Sequence, residues 1–405
     1  MSQRARSLLV LLVGGAVLLF AADTVVRTPG FLMPRDFLEY WAAGRVNLRA
    51  GNPYHPDELL AEQQLADPAR EHAVMMWNPP SALAVYMPLG AFPPRWAALL
   101  WAGLQFVSVF AACDLLWRVY CPAWSDHSVT GFAGSGHGVT GPRQGHRWCA
   151  AGVAISFVGT WWLVAYGQNT GFILLGLAGF LHFRRRGMPL AAGACAALTA
   201  LKPHLLACFG VLLVADVVTR RGAKALVAGA AVVALALGAA VAANPSVIGQ
   251  FVEAARRPAE GAIPLSAWML PVPAYWLRVW LAPGHFWVQF VPCAVACTGA
   301  LAYRVWKGAA FDWQRALPLV VAASLIATPY GGWIFDLPVL LVPVVWAAAR
   351  LVGEGRFALA AALVCGQAAI TAASFVWVGA LHAYWWVAPA ALALCVPAVG
   401  RVPRS

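Results

Sequence analysis

The chain alternates long apolar runs with short polar interruptions. Runs at 8–22, 97–113, 149–164, 170–183, 189–201, 204–219, 225–243, 286–303, 316–328, 334–349, 357–380 and 383–400 are long enough, or nearly so, to cross a hydrocarbon core as helices. The pattern predicts about twelve transmembrane helices, several of them short, in an all-α polytopic membrane protein occupying 1–405 as one domain. Two polar interruptions are long, 23–94 and 244–285. In the first, "DFLEYWAAGRVNLRAG" puts Phe37, Tyr40, Trp41 and Val46 near helical spacing ahead of the breaker "GNPY". This predicts a short helix lying on the bilayer with its aromatic rings at headgroup depth. "WNPPSALAVYMPLGAFPP" (77–94) is apolar but cut by Pro79, Pro80, Pro88, Pro93 and Pro94, which predicts an interfacial or re-entrant segment. A Gly-rich stretch at 125–146, inside the polar interval 118–148, predicts a flexible linker.

Composition excludes a soluble globular protein. The chain is 61% hydrophobic and only 11% charged, with a mean hydropathy of +0.70, against about 25% charged residues in soluble domains. The first run follows Arg4 and Arg6, as in a secretory signal, but no convincing small-residue cleavage site follows it, so it is expected to stay as a span.

The net charge of +12 does not point to nucleic acid, because the basic residues are scattered in short loops. With the N-terminus inside, alternate loops hold Arg4 and Arg6; Arg118, Arg143 and Arg147; Arg184, Arg185 and Arg186; Arg220, Arg221 and Lys224; Arg304, Lys307 and Arg315; Arg350 and Arg356; Arg401 and Arg404. These are 18 of the 28 Lys and Arg residues. The positive-inside rule then places both termini in the cytoplasm and the 23–94 and 244–285 segments outside.

Other signatures are weak. The nine cysteines lie in or beside apolar runs without zinc or disulfide spacing, as small buried hydrophobes do. His127, His137 and His146 are irregularly spaced, and no Walker, Rossmann or zinc-protease motif is present.

Polar residues on the outer side carry the candidate chemistry. Thirteen of the 44 charged residues fall between Asp23 and Glu71, among them Asp36 and Glu39. "LTALKPHLLACF" sets Lys202 and His204 between apolar runs, and ionisable groups at membrane depth mark function by default. They suit a lipid-borne phosphate; alternatively Lys202 snorkels to the interface and His204 caps a helix. Gln168 and Asn169 in "AYGQNTGF" are hydrogen-bond donors for a sugar or phosphate, or parts of a plain turn. "ATPYGGWIFDLPVLL" carries Tyr330, Trp333 and Asp336, where Asp336 either serves the site or caps and pairs structurally. Arg256, Arg257 and His285 are further phosphate candidates of lower rank.

The blocks "DFLEYWAAGRVNLRAGNPY", "WNPPSALAVYMPLGAFP", "GQNTGFILLGLAGFL", "AGACAALTALKPHLL" and "TPYGGWIFDLPVLL", in this order over roughly 8–350, resemble glycosyltransferase family 87. The family comprises polytopic enzymes of the GT-C fold, typified by polyprenyl-phosphate-mannose-dependent mannosyltransferases of actinobacterial lipid glycan synthesis. The resemblance implies a bacterial inner-membrane enzyme and a polyprenyl-phosphate sugar donor, usually without a divalent metal or other cofactor. It also implies a catalytic acidic residue in the first extracytoplasmic loop, a position that Asp36 matches.

Reaction chemistry leads to the same residue. Transfer of a sugar from a lipid phosphate to a hydroxyl of a glycan or glycolipid needs a carboxylate base and donors that hold the leaving phosphate. Asp36 is expected to be the base. Glu39 and Tyr40 beside it are expected to bind substrate, although Glu39 alternatively only pairs with Arg35 or Arg45. A transporter or flippase is the alternative reading, for which internal repeats and midplane ionisable groups are expected. A polysaccharide ligase or polymerase is a third.

Overall fold

The computed structural model describes residues 34–121, 145–256, 267–377 and 379–399, which are helical with no strand among them. The first apolar run, most of the 125–146 stretch and Arg257 lie outside the described residues. Six described helices are long and apolar enough to cross a membrane: Pro94–Tyr120, Arg220–Ala243, Phe286–Ala310, Ile334–Gly353, Phe357–Val376 and Leu381–Val399. A seventh span arises if Trp148–Ser156 and Val158–Tyr166, bent by 64°, count as one broken crossing. The helical polytopic class therefore holds.

The expected count of twelve is not reproduced. The runs at 170–183, 189–201, 204–219 and 316–328 do form helices, but short ones: Thr170–Arg185, Pro189–Leu201, Pro203–Val218 and Trp313–Ile326. Proline is the main cause. At the 201–203 junction the chain leaves helical geometry at Lys202 (φ −141°, ψ 74°), because Pro203 disfavours the helical region for the residue before it. Tight 3-10 turns, Ala197–Leu201 and Pro203–Leu206, flank that break. The segment at 77–94 forms a 3-10 turn, Pro80–Ala82, and an eight-residue helix, Leu83–Gly90, too short to span.

The Arg35–Leu48 helix forms where its pattern predicts, but its aromatic residues pack into protein. Phe37, Leu38, Glu39, Tyr40, Trp41, Ala42, Ala43, Gly44, Val46 and Asn47 are all buried in protein. Two glycines explain the enclosure. A Cβ on Gly44 would collide with the Tyr86 carbonyl, and one on Gly90 would come within 2.6 Å of the Arg45 nitrogen. Their absent side chains let this helix and Leu83–Gly90 meet backbone to backbone. Trp41 Nε1 then donates to the Phe92 carbonyl at 3.0 Å, and Asn47 Nδ2 to the Ala240 carbonyl at 3.1 Å.

The bundle has two chemically different ends. Trp101 and Tyr120 stand on one continuous helix, about 28 Å apart at 1.5 Å per residue. Near Trp101 lie Asp36, Glu39 and Asp336. Near Tyr120, Arg185 donates to the Val119 carbonyl at 2.7 Å, and Gln314 donates to the same oxygen at 3.1 Å. At this basic end Asp216, 1% exposed, meets Arg184 at 2.6 Å, Arg304 at 3.3 Å and the Trp313 indole nitrogen at 3.3 Å. The Ile334–Gly353 helix runs enclosed through the middle, whereas Phe286–Ala310 is peripheral.

Candidate active site

Three breaks in regular helix deliver the site. The Arg35–Leu48 helix starts directly after Pro34, which sets Asp36 in its first turn. Gly167 ends the Val158–Tyr166 helix in the left-handed region (φ +70°) and presents Gln168 and Asn169. Consecutive positive φ values at Gly331 (+77°) and Gly332 (+70°) then reverse the chain ahead of Trp333 and Asp336. Lys202 supplies the fourth contribution from the non-helical junction described above.

The side chains form one polar relay. Gln168 Nε2 donates to Asp36 Oδ2 at 2.6 Å. Gln168 Oε1 accepts from Tyr40 Oη at 2.7 Å and from Lys202 Nζ at 2.5 Å. Lys202 Nζ also donates to Asp336 Oδ1 at 2.7 Å. Asp336, 0% exposed, is further satisfied by the Thr170 hydroxyl at 3.3 Å and the Trp333 backbone N–H at 3.2 Å. Asp36, Tyr40, Gln168, Lys202 and Asp336 are thus brought together, and Asp336 both caps a turn and pairs with Lys202. Among the described residues two of the three Lys202 N–H donors meet oxygen acceptors, and its Nζ lies 5.6 Å from the centre of the Phe335 ring.

The two carboxylates on the Arg35–Leu48 helix differ. Glu39 is 7% exposed and, among the described residues, accepts a hydrogen bond from the Trp77 N–H at 3.3 Å. Burial, reinforced by the Asp36 charge, pushes its pKa well above the usual range. Neither expected arginine is shown bonded to it: Arg45 pairs with Glu62 at 2.6 Å, and Arg35 is exposed. Asp36 is half-buried. Burial raises its pKa too, but the Gln168 hydrogen bond and the Lys202 charge oppose the rise. Of the pair, Asp36 is therefore the one placed to ionise. Its Oδ1 takes no hydrogen bond from the described residues.

The remaining candidates sit around this relay. Asn169 is fully buried one layer deeper, donating to Tyr86 Oη at 2.6 Å, and Tyr86 stacks on Tyr40 at 4.5 Å. His204 stacks on Tyr330 at 4.2 Å, and its carbonyl accepts from Thr328 at 3.0 Å. Arg256 and His285 are exposed, and no contact joins them to the relay. Sequence reasoning missed Thr170, Tyr86, Asn78 and Trp77. All four lie in the quoted blocks, Trp77, Asn78 and Tyr86 in one and Thr170 in another; Asn78 Nδ2 donates to Tyr86 Oη at 2.6 Å.

A helical polytopic membrane protein with an acid, an amide and a lysine coupled beside helix breaks at one end is the class that fold and site define. Within that class the chain belongs to glycosyltransferase family 87, whose model matches residues 77–329. The protein is accordingly a membrane glycosyltransferase. Gln168, Asn169, Lys202 and His204 lie inside the matched stretch; Asp36, Glu39, Tyr40, Tyr330 and Asp336 lie outside it. Neither the search of curated proteins nor that of solved structures gave a match.

Proposed function

We propose that this glycosyltransferase moves a hexose, mannose on the family resemblance, from a polyprenyl phosphate to a hydroxyl of a glycan or glycolipid, with Asp36 as general base. The carboxylate end of the bundle then faces the extracytoplasmic side of a bacterial inner membrane, and the Arg-rich end the cytoplasm. The observation that carries this reading is Asp36 itself: one oxygen is fixed by Gln168, the other takes no hydrogen bond from the described residues, and a buried cation lies one residue away in the relay.

In the reaction the acceptor oxygen attacks the anomeric carbon of the donor while its proton passes to Asp36 Oδ1. The bond from that carbon to the phosphate oxygen breaks, and its electron pair leaves with the polyprenyl phosphate. Lys202 stabilises the charge that develops there, with His204 and Tyr330 beside it. Asp336 holds Lys202 in place. Glu39, whose pKa burial raises, bonds a substrate hydroxyl instead of competing as base.

The test is a transfer assay in proteoliposomes with radiolabelled polyprenyl-phosphate sugars beside a flipping assay. Label should pass from the mannosyl donor into an acceptor. Lipid-linked label that crosses the bilayer unchanged, with no product, would instead identify a flippase.

A further inference from the structure

A cavity of about 280 Å³ opens at the basic end of the bundle, away from the relay. Three helix ends build it. Tyr120 closes the Pro94–Tyr120 helix, Gln314 and Arg315 begin Trp313–Ile326, and Trp346, Ala349 and Arg350 belong to the last turns of Ile334–Gly353. The Gln314 side chain, donating to the Val119 carbonyl at 3.1 Å, ties the first two ends together.

The mouth of the cavity is cationic. The Arg315 side chain is 89% exposed, and Asp312, 3.7 Å away, also caps the start of the same helix. Arg350 is held by Glu354 at 2.8 Å, and Arg356 shares that carboxylate at 3.1 Å. Arg185, bonded to the Val119 carbonyl, adds a further charge. These residues set four cations against two carboxylates. Inside, the Tyr120 hydroxyl is enclosed yet has no hydrogen-bond partner among the described residues. A buried tyrosine hydroxyl ordinarily finds a partner, and leaving it unpaired opposes folding. Trp148 and Phe357, 76% and 59% exposed, stand near the starts of two helices that pack on Leu341–Gly353. Such exposed aromatic residues mark a membrane belt, which sets the cavity at headgroup depth.

We propose that this cavity binds the headgroup of an anionic phospholipid. Arg315 donates to the phosphate oxygens, and the Tyr120 hydroxyl donates to a further oxygen of the headgroup. Arg350, with its guanidinium 5.8 Å from the Trp346 ring centre, adds positive field. Basic pockets between transmembrane helices hold lipid headgroups in this way. The volume admits a phosphate diester and its glycerol, and the acyl chains stay in the bilayer beside the belt residues. A soluble phosphate shares the polar contacts but gains nothing from that depth. The site is independent of the reaction at the other end of the bundle.

Native mass spectrometry of the full protein, released from phosphatidylcholine nanodiscs with and without phosphatidylglycerol, tests the site. The parent should retain phosphatidylglycerol in preference to phosphatidylcholine. Arg315→Gln, a change at an exposed position that should not disturb folding, should weaken that retention about fivefold, the effect of one cation near a lipid surface. Tyr120→Phe should weaken it about two- to tenfold, the range for one hydrogen bond. In pure phosphatidylcholine the same variant should melt no lower than the parent, because an unpaired hydroxyl has been removed. Arg220→Gln, at an exposed arginine outside the cavity, should change nothing. An equal loss in Arg220→Gln would reduce the effect to diffuse surface charge and overturn the site. Unaltered retention in both cavity variants would overturn it too. The second probe is glycerol 3-phosphate, added to the protein in phosphatidylcholine. If it raises the melting temperature as far as phosphatidylglycerol does, the cavity takes a soluble phosphate and the lipid assignment falls.

Discussion

Lys202 Nζ lies 2.7 Å from Asp336 Oδ1, and both residues are buried, at 7% and 0% exposure. A buried ion pair is weak evidence for stability, but breaking one by removing a single partner costs about 3–5 kcal/mol, because an unpaired charge is left behind. Lys202→Met and Asp336→Leu should each lower the melting temperature strongly, and the double variant should recover part of the loss. Lys202→Met should also abolish transfer, in the double variant as in the single. Restored transfer in the double variant would show that Lys202 serves packing alone.

The pH profile should follow Asp36. A base must be deprotonated, and burial raises the pKa of this carboxyl. Transfer should therefore fall as pH drops, with an acid limb centred above the ordinary carboxylate range. Gln168→Leu removes the hydrogen bond that holds the pKa down, so its limb should move to higher pH as well as its rate falling. A rate loss with an unmoved limb would reduce Gln168 to a packing role.

At the basic end, Asp216 holds Arg184 and Arg304 together. Asp216→Ala should cost about 3 kcal/mol, the low end for a broken buried pair, since Arg184 retains some access to water. The site lies at the other end of the bundle, so acceptor and donor KM of the folded fraction should not change. Thermal unfolding and initial rates on one preparation separate the two effects.

Much of this arrangement was legible in the sequence, because breaks are local. The polar Lys202 and His204 between two apolar runs predict the junction there, and aromatic spacing predicts the Arg35–Leu48 helix. Burial of that helix was not legible, because it depends on Gly44 meeting a backbone some forty residues away. Nor was the role of Gln168, whose three partners come from two distant segments, Asp36 and Tyr40 from one helix and Lys202 from a later junction. Asp216 passed unnoticed for the same reason: its arginines are distant in the chain. The count of twelve spans is not reproduced among the described residues, because four of the apolar runs are short and form helices of about their own length.

Substitution of Asp36 by Asn reaches the central claim most directly. The change is nearly isosteric and keeps hydrogen-bonding capacity beside Gln168, so folding and donor binding should persist. It removes the proton acceptor, a contribution of roughly 10²- to 10⁴-fold in general-base catalysis. The measurement is the single-turnover rate of sugar transfer by purified, folded Asp36→Asn protein at saturating donor and neutral pH. The account predicts a rate at least about a hundredfold below the parent with unchanged donor affinity. Transfer at the parent rate would contradict it, and the base would have to be sought elsewhere.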